Sequence, residues 1–304
     1  MFSRRHPYLY FVITFSGIAA VTVIVLAGLA VFGLRGCSYP AIGKMGGGKV
    51  GVVEINGVIA DAAVAIGQIK SFREDDSIKA IVIRINSPGG GVGPSQEICR
   101  EVQKTVKLKK VVASMGAVAA SGGYYVAAGT SGIMANPGTI TGSIGVIMGF
   151  TNFQKLLDKI GLTPVIVKSG EYKDTGSPSR QMTSAEKKLL QDVVDTIHGQ
   201  FVTAIANGRS LEMEKVESIA DGRIFSGEKA IEIGLVDRLG NFEDAIEWAG
   251  RLGGIKGKVT AVYAKEKKLP LIKYITGSSS IRSLIESAVR PRMYAGYLYR
   301  PAED

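Results

Sequence analysis

The chain has 304 residues, of which 46% are hydrophobic, and this length and apolar content exclude a disordered protein. The formal net charge is +10, but lysines and arginines are spread along the chain without interleaved aromatic runs, which argues against a nucleic-acid partner. The two cysteines, Cys37 and Cys99, cannot form a disulfide framework and have no metal-ligand spacing, which argues against a zinc site.

The first predicted element is a membrane span. No charged residue occurs between Pro7 and Leu34, and the segment 8–34 exceeds the ~20 residues that cross a bilayer. A cleaved signal peptide has a shorter apolar core of about 7 to 15 residues. We therefore expect residues 1–7 to be a short N-terminal segment, residues 8–34 to be an uncleaved transmembrane helix and the lipid bilayer to be a partner.

The charges that flank the predicted helix do not show which of its ends faces the cytoplasm. Arg4 and Arg5 precede the helix, whereas Arg35 and two lysines follow it, so the positive-inside count is nearly equal on both sides. The sequence "LRGC" ending at Cys37 loosely resembles a lipoprotein processing site, but an arginine just before the cut is unfavourable. We therefore favour an unmodified thiol next to the membrane.

Glycine and proline mark residues 35–49 as a flexible linker. A folded domain is predicted over 50–255, where "KVGVVEIN" and "IKAIVIRINS" favour strands, the second buried on both faces. A helix from Pro94 to Lys107, a strand "KKVVASMG" and a small-residue helix "AASGGYYVAAG" follow. This alternation indicates parallel strands joined by crossover helices.

The second half of the chain is predicted to be mostly helical. The run "VIVK" at 165–168 favours a strand, and Thr183 with Glu186 forms a capping box before a long amphipathic helix. Two shorter helices, "SGEKAIEIGLVD" and "NFEDAIEWAGRLGG", complete the domain. Residues 256–304 are predicted to form a strand, a helix and an apolar tail whose tyrosines pack on a neighbouring subunit or lie in an active-site groove.

A candidate nucleophile lies in "GAVAASGGYY", where Ser121 is either a helix cap or an attacking group. A nucleophilic serine needs a base to take its proton. The chain has two histidines: His6 precedes the membrane span, and His198 lies on the long amphipathic helix, so a Ser-His-Asp triad is disfavoured. Cys99 is predicted on an apolar helix face without an activating histidine, and we interpret it as structural.

Lysine is then the remaining candidate base. An ammonium group becomes a base near neutral pH only when its environment lowers its pKa from ~10.4. The segment "VIVKSGEYKDTGSPSR" offers Lys168 and Lys173, and the residues alone leave both open. Lysines in loops are more often solvated, and Asp174 beside Lys173 would favour the charged ammonium unless its carboxylate turns away.

Four segments taken together are similar to a known family. In chain order they are "INSPGGG" (85–91), "GAVAASGGYYVAA" (116–128), "GTITGSIGVI" (138–147) and "KSGEYKDTGSPSR" (168–180). Over about residues 50 to 245 the chain resembles the signal peptide peptidase A family, which are membrane-anchored serine-lysine peptidases. The resemblance implies an α/β protein with the Clp protease/crotonase-like fold of repeated β-β-α units, preceded by one N-terminal transmembrane helix.

The resemblance also implies site residues. Ser121 matches the nucleophile, Lys173 the general base and Ser143 the hydroxyl that orients the lysine. Gly90 and Gly122 match the backbone donors of the oxyanion hole, which stabilise the tetrahedral intermediate. The resemblance implies no cofactor and no metal. Small residues along the groove would suit peptides with small apolar side chains.

The implied substrates are remnant signal peptides, whose extended chains would pair with strand edges near "SPGGG". Because each motif occurs once, as in short family members, we expect a ring-shaped homo-oligomer in which neighbouring subunits supply serine and lysine. The resemblance places the catalytic domain on the extracytoplasmic side of the cell membrane. Two alternatives stay open: a peptidase that cleaves a specific membrane protein, such as a stomatin-like partner, and a non-catalytic crotonase-like scaffold.

Overall fold

The computed structural model of the protein describes residues 47–264 and 296–298. The transmembrane helix predicted over 8–34 lies outside the described residues, as do most of the linker and most of the C-terminal tail. Within the two described ranges, no helix is both long and apolar enough to cross a membrane.

The described residues form ten strands, eight α-helices and one 3₁₀ turn. The strands are β1 Lys49–Asn56, β2 Ile78–Ser87, β3 Gly89–Gly91, β4 Lys110–Ala120, β5 Gly132–Ala135, β6 Ile140–Gly142, β7 Ile224–Ser226, β8 Arg238–Leu239, β9 Thr260–Tyr263 and β10 Gly296–Leu298. The helices are α1 Ala63–Glu74, α2 Val92–Val106, α3 Gly122–Ala128, α4 Gln154–Lys159, α5 Ser184–Arg209, α6 Met213–Glu217, α7 Gly227–Glu232 and α8 Phe242–Leu252, and the 3₁₀ turn covers Glu171–Asp174.

Eight of the described strands form one sheet. Its main path runs β7-β6-β4-β2-β1-β9, with β5 beside β4 and β8 beside β5. Every pair in it is parallel except β6 with β7. The strands β3 and β10 form a separate antiparallel pair. The predicted α/β architecture with crossover helices is therefore confirmed.

Helices cover both faces of this sheet, which explains why the sequence of β2 is so apolar. Ile83 and its alternate neighbours face the larger core under α1, α2, α3 and α5, whereas Val82 faces a second core that contains Trp248 of α8. A strand buried on both faces requires apolar residues at consecutive positions. The run "AIVIRI" meets that requirement.

Two predicted elements differ from the structure. The strand β4 continues to Ala120, four residues past the predicted end, so that Ala119 and Ala120 pair with β6 instead of opening a helix. The strand predicted over 165–168 is wrong, because these residues have no regular secondary structure and Val167 is 96% exposed. In the described chain this apolar run has no sheet edge beside it.

The sheet core generates a stability prediction. Ile83→Ala removes a fully buried side chain from β2 and should lower the free energy of unfolding by about 2–5 kcal/mol, because it leaves a cavity between packed layers. Urea unfolding followed by the fluorescence of Trp248, the sole tryptophan, measures this change. The control Val64→Ala alters a side chain that is 72% exposed and should change stability by no more than about 0.5 kcal/mol. Equal effects of both substitutions would contradict the assigned core.

Candidate active site

Ser121 lies where β4 passes directly into α3. It is the N-cap residue of that helix, with φ 52° and ψ −117°, a conformation that strains a residue with a side chain. Its amide donates a 2.8 Å hydrogen bond to the carbonyl of Gly142, and its carbonyl accepts one from Tyr125. Among the described residues its hydroxyl makes no capping hydrogen bond. Ser121 is therefore a cap by position only, and its hydroxyl is available for chemistry.

Ser143 lies beside Ser121 at the same edge of the sheet. Ala120 of β4 pairs with Gly142 of β6, and each of the two serines follows one member of that pair. Ser143 also has positive φ, 51°, and its amide donates a 2.8 Å hydrogen bond to the carbonyl of Arg223. Both serines are buried. The structure thus brings two of the predicted site residues together.

Gly90 and Gly122 also meet at this edge. A Cβ added at Gly122 would lie 3.2 Å from the amide nitrogen of Gly90 and 2.5 Å from Ser95 Oγ, so nothing larger than glycine fits there. The preceding Gly89 has φ 103°, which favours glycine, and its amide donates to Ser87 Oγ at 3.0 Å. Two backbone segments therefore approach each other closely beside Ser121.

The C-terminal segment lies on this glycine motif. In β10, Tyr297 pairs with Gly90 of β3 in an antiparallel register. On the other side, Gly296 exchanges two 3.1 Å hydrogen bonds with Ile147. A Cβ at Gly89 would lie 2.1 Å from the carbonyl oxygen of Tyr297 and 2.7 Å from the amide of Gly122. The chain's own tail is thus an extended peptide beside the two glycines and Ser121.

The Tyr297 side chain fills an aromatic pocket. Its ring stacks on Tyr125, with centroids 5.3 Å apart, and packs against Phe201 at 4.5 Å. Its hydroxyl donates a 3.2 Å hydrogen bond to the carbonyl of Ile197, and burial raises the pKa of the phenol above its usual value. This pocket holds a large aromatic side chain from the chain's own C-terminal segment. In the sequence, the only features that could have indicated this pocket are Tyr125 in "SGGYY" and the apolar stripe of α5.

Among the described residues, no hydrogen bond joins Lys173 to Ser121, and Ser121 is buried whereas Lys173 is exposed. It lies on the 3₁₀ turn, its side chain is exposed, and among the described residues it forms no ion pair and no side-chain hydrogen bond. Lys168 Nζ instead binds Asp174 Oδ1 at 2.7 Å. Arg180 also binds Asp174, and these two cations hold the pKa of the carboxyl well below its ordinary value, Arg180 more strongly.

Neither Cys99 nor His198, the other residues considered as nucleophile and base, is free to act in catalysis. Burial raises the pKa of the Cys99 thiol to about 12, so thiolate chemistry is unavailable near neutral pH. His198 Nε2 lies 2.7 Å from the carbonyl oxygen of Ala220, in a hydrogen bond within the fold. Among the described residues, no group of His, Cys, Asp and Glu could hold a metal ion.

Two family models match the chain. The model of peptidase family S49 matches residues 103–256, and that of Clp protease matches residues 52–141. The chain belongs to peptidase family S49. It is therefore a serine peptidase with a Clp protease-like domain, and the resemblance to signal peptide peptidase A is confirmed.

Relatives named as proteases share much of the S49 domain. A candidate protease of Synechocystis sp. is 44% identical over 76% of this chain and 84% of its own length. A candidate signal peptide peptidase SppA of Enterococcus faecium is 39% identical over 66% of this chain and 62% of its own. A chloroplastic serine protease SPPA of Arabidopsis thaliana is 35% identical over 71% of this chain, which matches 32% of that longer protein.

The position of β10 predicts that the S49 peptidase limits its own activity. Deletion of residues 290–304 should raise kcat/KM for a short peptide substrate by about tenfold, because a tethered segment competes at millimolar effective concentration. Tyr297→Ala in the full chain should give a smaller rise, and Tyr263→Ala, at an exposed site in β9, should give none. An unchanged rate after the deletion, in a protein with the same assembly size, would show that the tail does not compete with substrate.

Proposed function

We propose that the protein is a membrane-anchored endopeptidase in which Ser121 is the nucleophile and Lys173 of a neighbouring subunit is the general base. The main support for this proposal is the strained junction at Ser121. The Ser121 hydroxyl does not cap the helix, and it lies beside the backbone of Gly90 and Gly122 and beside the extended segment 296–298. A site of this composition suits acyl transfer.

The proposed reaction proceeds in two halves. Ser121 Oγ attacks the scissile carbonyl as its proton passes to Lys173, and the amides of Gly90 and Gly122 donate to the oxyanion that forms. The C–N bond then breaks, and the lysine returns the proton to the leaving amine. Water hydrolyses the acyl enzyme by the same route. Ser143 lies beside Ser121, where its hydroxyl would orient the incoming lysine.

The exposed state of Lys173 supports a site shared between subunits. The segment that carries it, residues 151–173, exposes many large apolar side chains to solvent, and in a monomeric protein such side chains more often occur singly. These side chains are Phe153, Leu156, Ile160, Leu162, Val165, Ile166 and Val167. We infer that this segment docks on the next copy of the chain and that repetition of this contact closes a ring.

The proposed substrates are remnant signal peptides presented at the membrane. The path of residues 296–298 between β3 and Ile147 supports an extended substrate that adds as a strand. The pocket around Tyr125 and Phe201 supports a large apolar or aromatic side chain at the position of Tyr297. The name of the Enterococcus faecium relative supports the same class. Anchoring by residues 8–34 would hold the domain extracytoplasmically beside such peptides.

A serine-directed acylating probe tests the roles of the two residues. Ser121→Ala should abolish labelling, because the attacking oxygen is removed. Lys173→Ala should reduce labelling by a factor of about 10² or more, since proton transfer typically contributes that much. Lys168→Ala should retain detectable labelling. Labelling that survives in Lys173→Ala but disappears in Lys168→Ala would assign the base to the other lysine.

Mixing the two inactive variants tests the shared site. Ser121→Ala and Lys173→Ala subunits, dissociated and reassembled together, should recover about a quarter of the wild-type activity, because a random ring joins an intact serine to an intact lysine at that frequency. Each variant reassembled alone is the control. No recovery in mixed assemblies of normal size would place both residues in one chain.

A further inference from the structure

A network of four charged side chains surrounds the turn that carries Lys173. The Arg180 guanidinium binds Asp174 with two parallel hydrogen bonds, Nε to Oδ2 at 2.8 Å and Nη2 to Oδ1 at 2.9 Å. Lys168 Nζ binds the same carboxylate at 2.7 Å. Arg180 also binds Glu186, in part through a 2.9 Å hydrogen bond from Nη1 to Oε2. The planar guanidinium has several N–H donors, so Arg180 can bind both carboxylates at once.

Arg180 thereby joins the turn to the start of α5. Glu186 is also part of the capping box, in which its Oε2 accepts a 2.8 Å hydrogen bond from the amide of Thr183. Asn152 Nδ2 donates to the carbonyl of Arg180 at 2.6 Å, which ties the exposed segment to the same point. A bidentate contact to Asp174 at one end and a capped helix at the other restrict how the turn can move.

The network also decides where the carboxylate of Asp174 points. Asp174 follows Lys173 in the sequence, yet no ion pair forms between them, because Lys168 and Arg180 occupy both carboxylate oxygens. The charged groups that face Asp174 are Lys168 and Arg180, with Glu186 behind the guanidinium. On the turn itself, Glu171 and Lys173 are both exposed. The charges of the four network residues sum to zero, and so do those of Glu171 and Lys173 on the turn.

We propose that Arg180 is a positioning residue of this peptidase, which fixes the lysine-bearing turn on α5 and keeps the carboxylate of Asp174 away from the amine of Lys173. The inference rests on the proposed role of Lys173 as general base. A carboxylate within about 4–6 Å of an amine favours its charged form, and a protonated amine cannot accept the serine proton. Lys168 assists by binding the same carboxylate.

The pH profile of kcat/KM tests the positioning role in the full-length enzyme. In Arg180→Gln the Asp174 carboxylate loses its main partner and can turn to Lys173, so the acid limb should move to higher pH by about one unit. The double variant Arg180→Gln/Asp174→Asn should return the limb to its wild-type position even if its maximum rate stays low. Arg251→Gln removes an arginine from an exposed pair with Glu247 on α8, and should leave the limb in place.

The outcomes separate this inference from the proposed function. An unmoved limb in Arg180→Gln, or a limb that the double variant does not restore, overturns the positioning role. If Arg180→Gln does not assemble, Lys168→Gln replaces it, with a smaller upward shift that Asp174→Asn must again reverse. Lys173→Met is measured in parallel: full turnover in that variant refutes the lysine as base, whereas an inactive Lys173→Met with an unmoved limb in Arg180→Gln refutes only the present inference.

Discussion

The site depends on the junction at which β4 passes into α3 without a loop. Ser121 has to adopt positive φ there, and the hydrogen bond from its amide to the carbonyl of Gly142 holds it in that conformation. The same bond fixes the end of β6, so Ser143 follows at the same edge of the sheet. With its backbone bonded in both directions, Ser121 keeps its hydroxyl out of the helix cap. A looser connection would lose both the separation of the hydroxyl from the helix cap and the position of Ser121 beside Ser143.

Much of the fold could be predicted because local patterns agree with tertiary burial. The run in β2 is apolar at consecutive positions because both of its faces are covered, and the capping box of Thr183 and Glu186 is a short-range hydrogen-bond pattern. The end of β4 could not be predicted in this way. Alanine favours helices, but pairing with β6 overrides that propensity at Ala119 and Ala120. The apolar run at 165–168 has strand character, but no strand of the described chain pairs with it and its valines are exposed, so the local pattern alone predicted an element that does not form.

Some residues of the candidate site could likewise be predicted from local patterns, and others could not. Motif order identified Ser121, Ser143 and the two glycines, and the structure gathers these four at one edge. Adjacency in sequence suggested that Asp174 opposes Lys173, but an ion pair is decided by side-chain direction and by competing partners. Arg180 supplies the competitor from six residues further along, and no periodic pattern marks that contact. The aromatic pocket is likewise assembled from α3, α5 and the tail, which no local window contains.

The strand β10 has a consequence for the whole molecule. Peptide recognition by strand addition requires a backbone edge with free donors and acceptors, and such an edge also invites pairing with any other extended chain. In this protein the backbone of residues 296–298 pairs with β3 and Ile147. Residues 296–298 therefore cover this backbone edge, and another extended chain would pair with it only after displacing them.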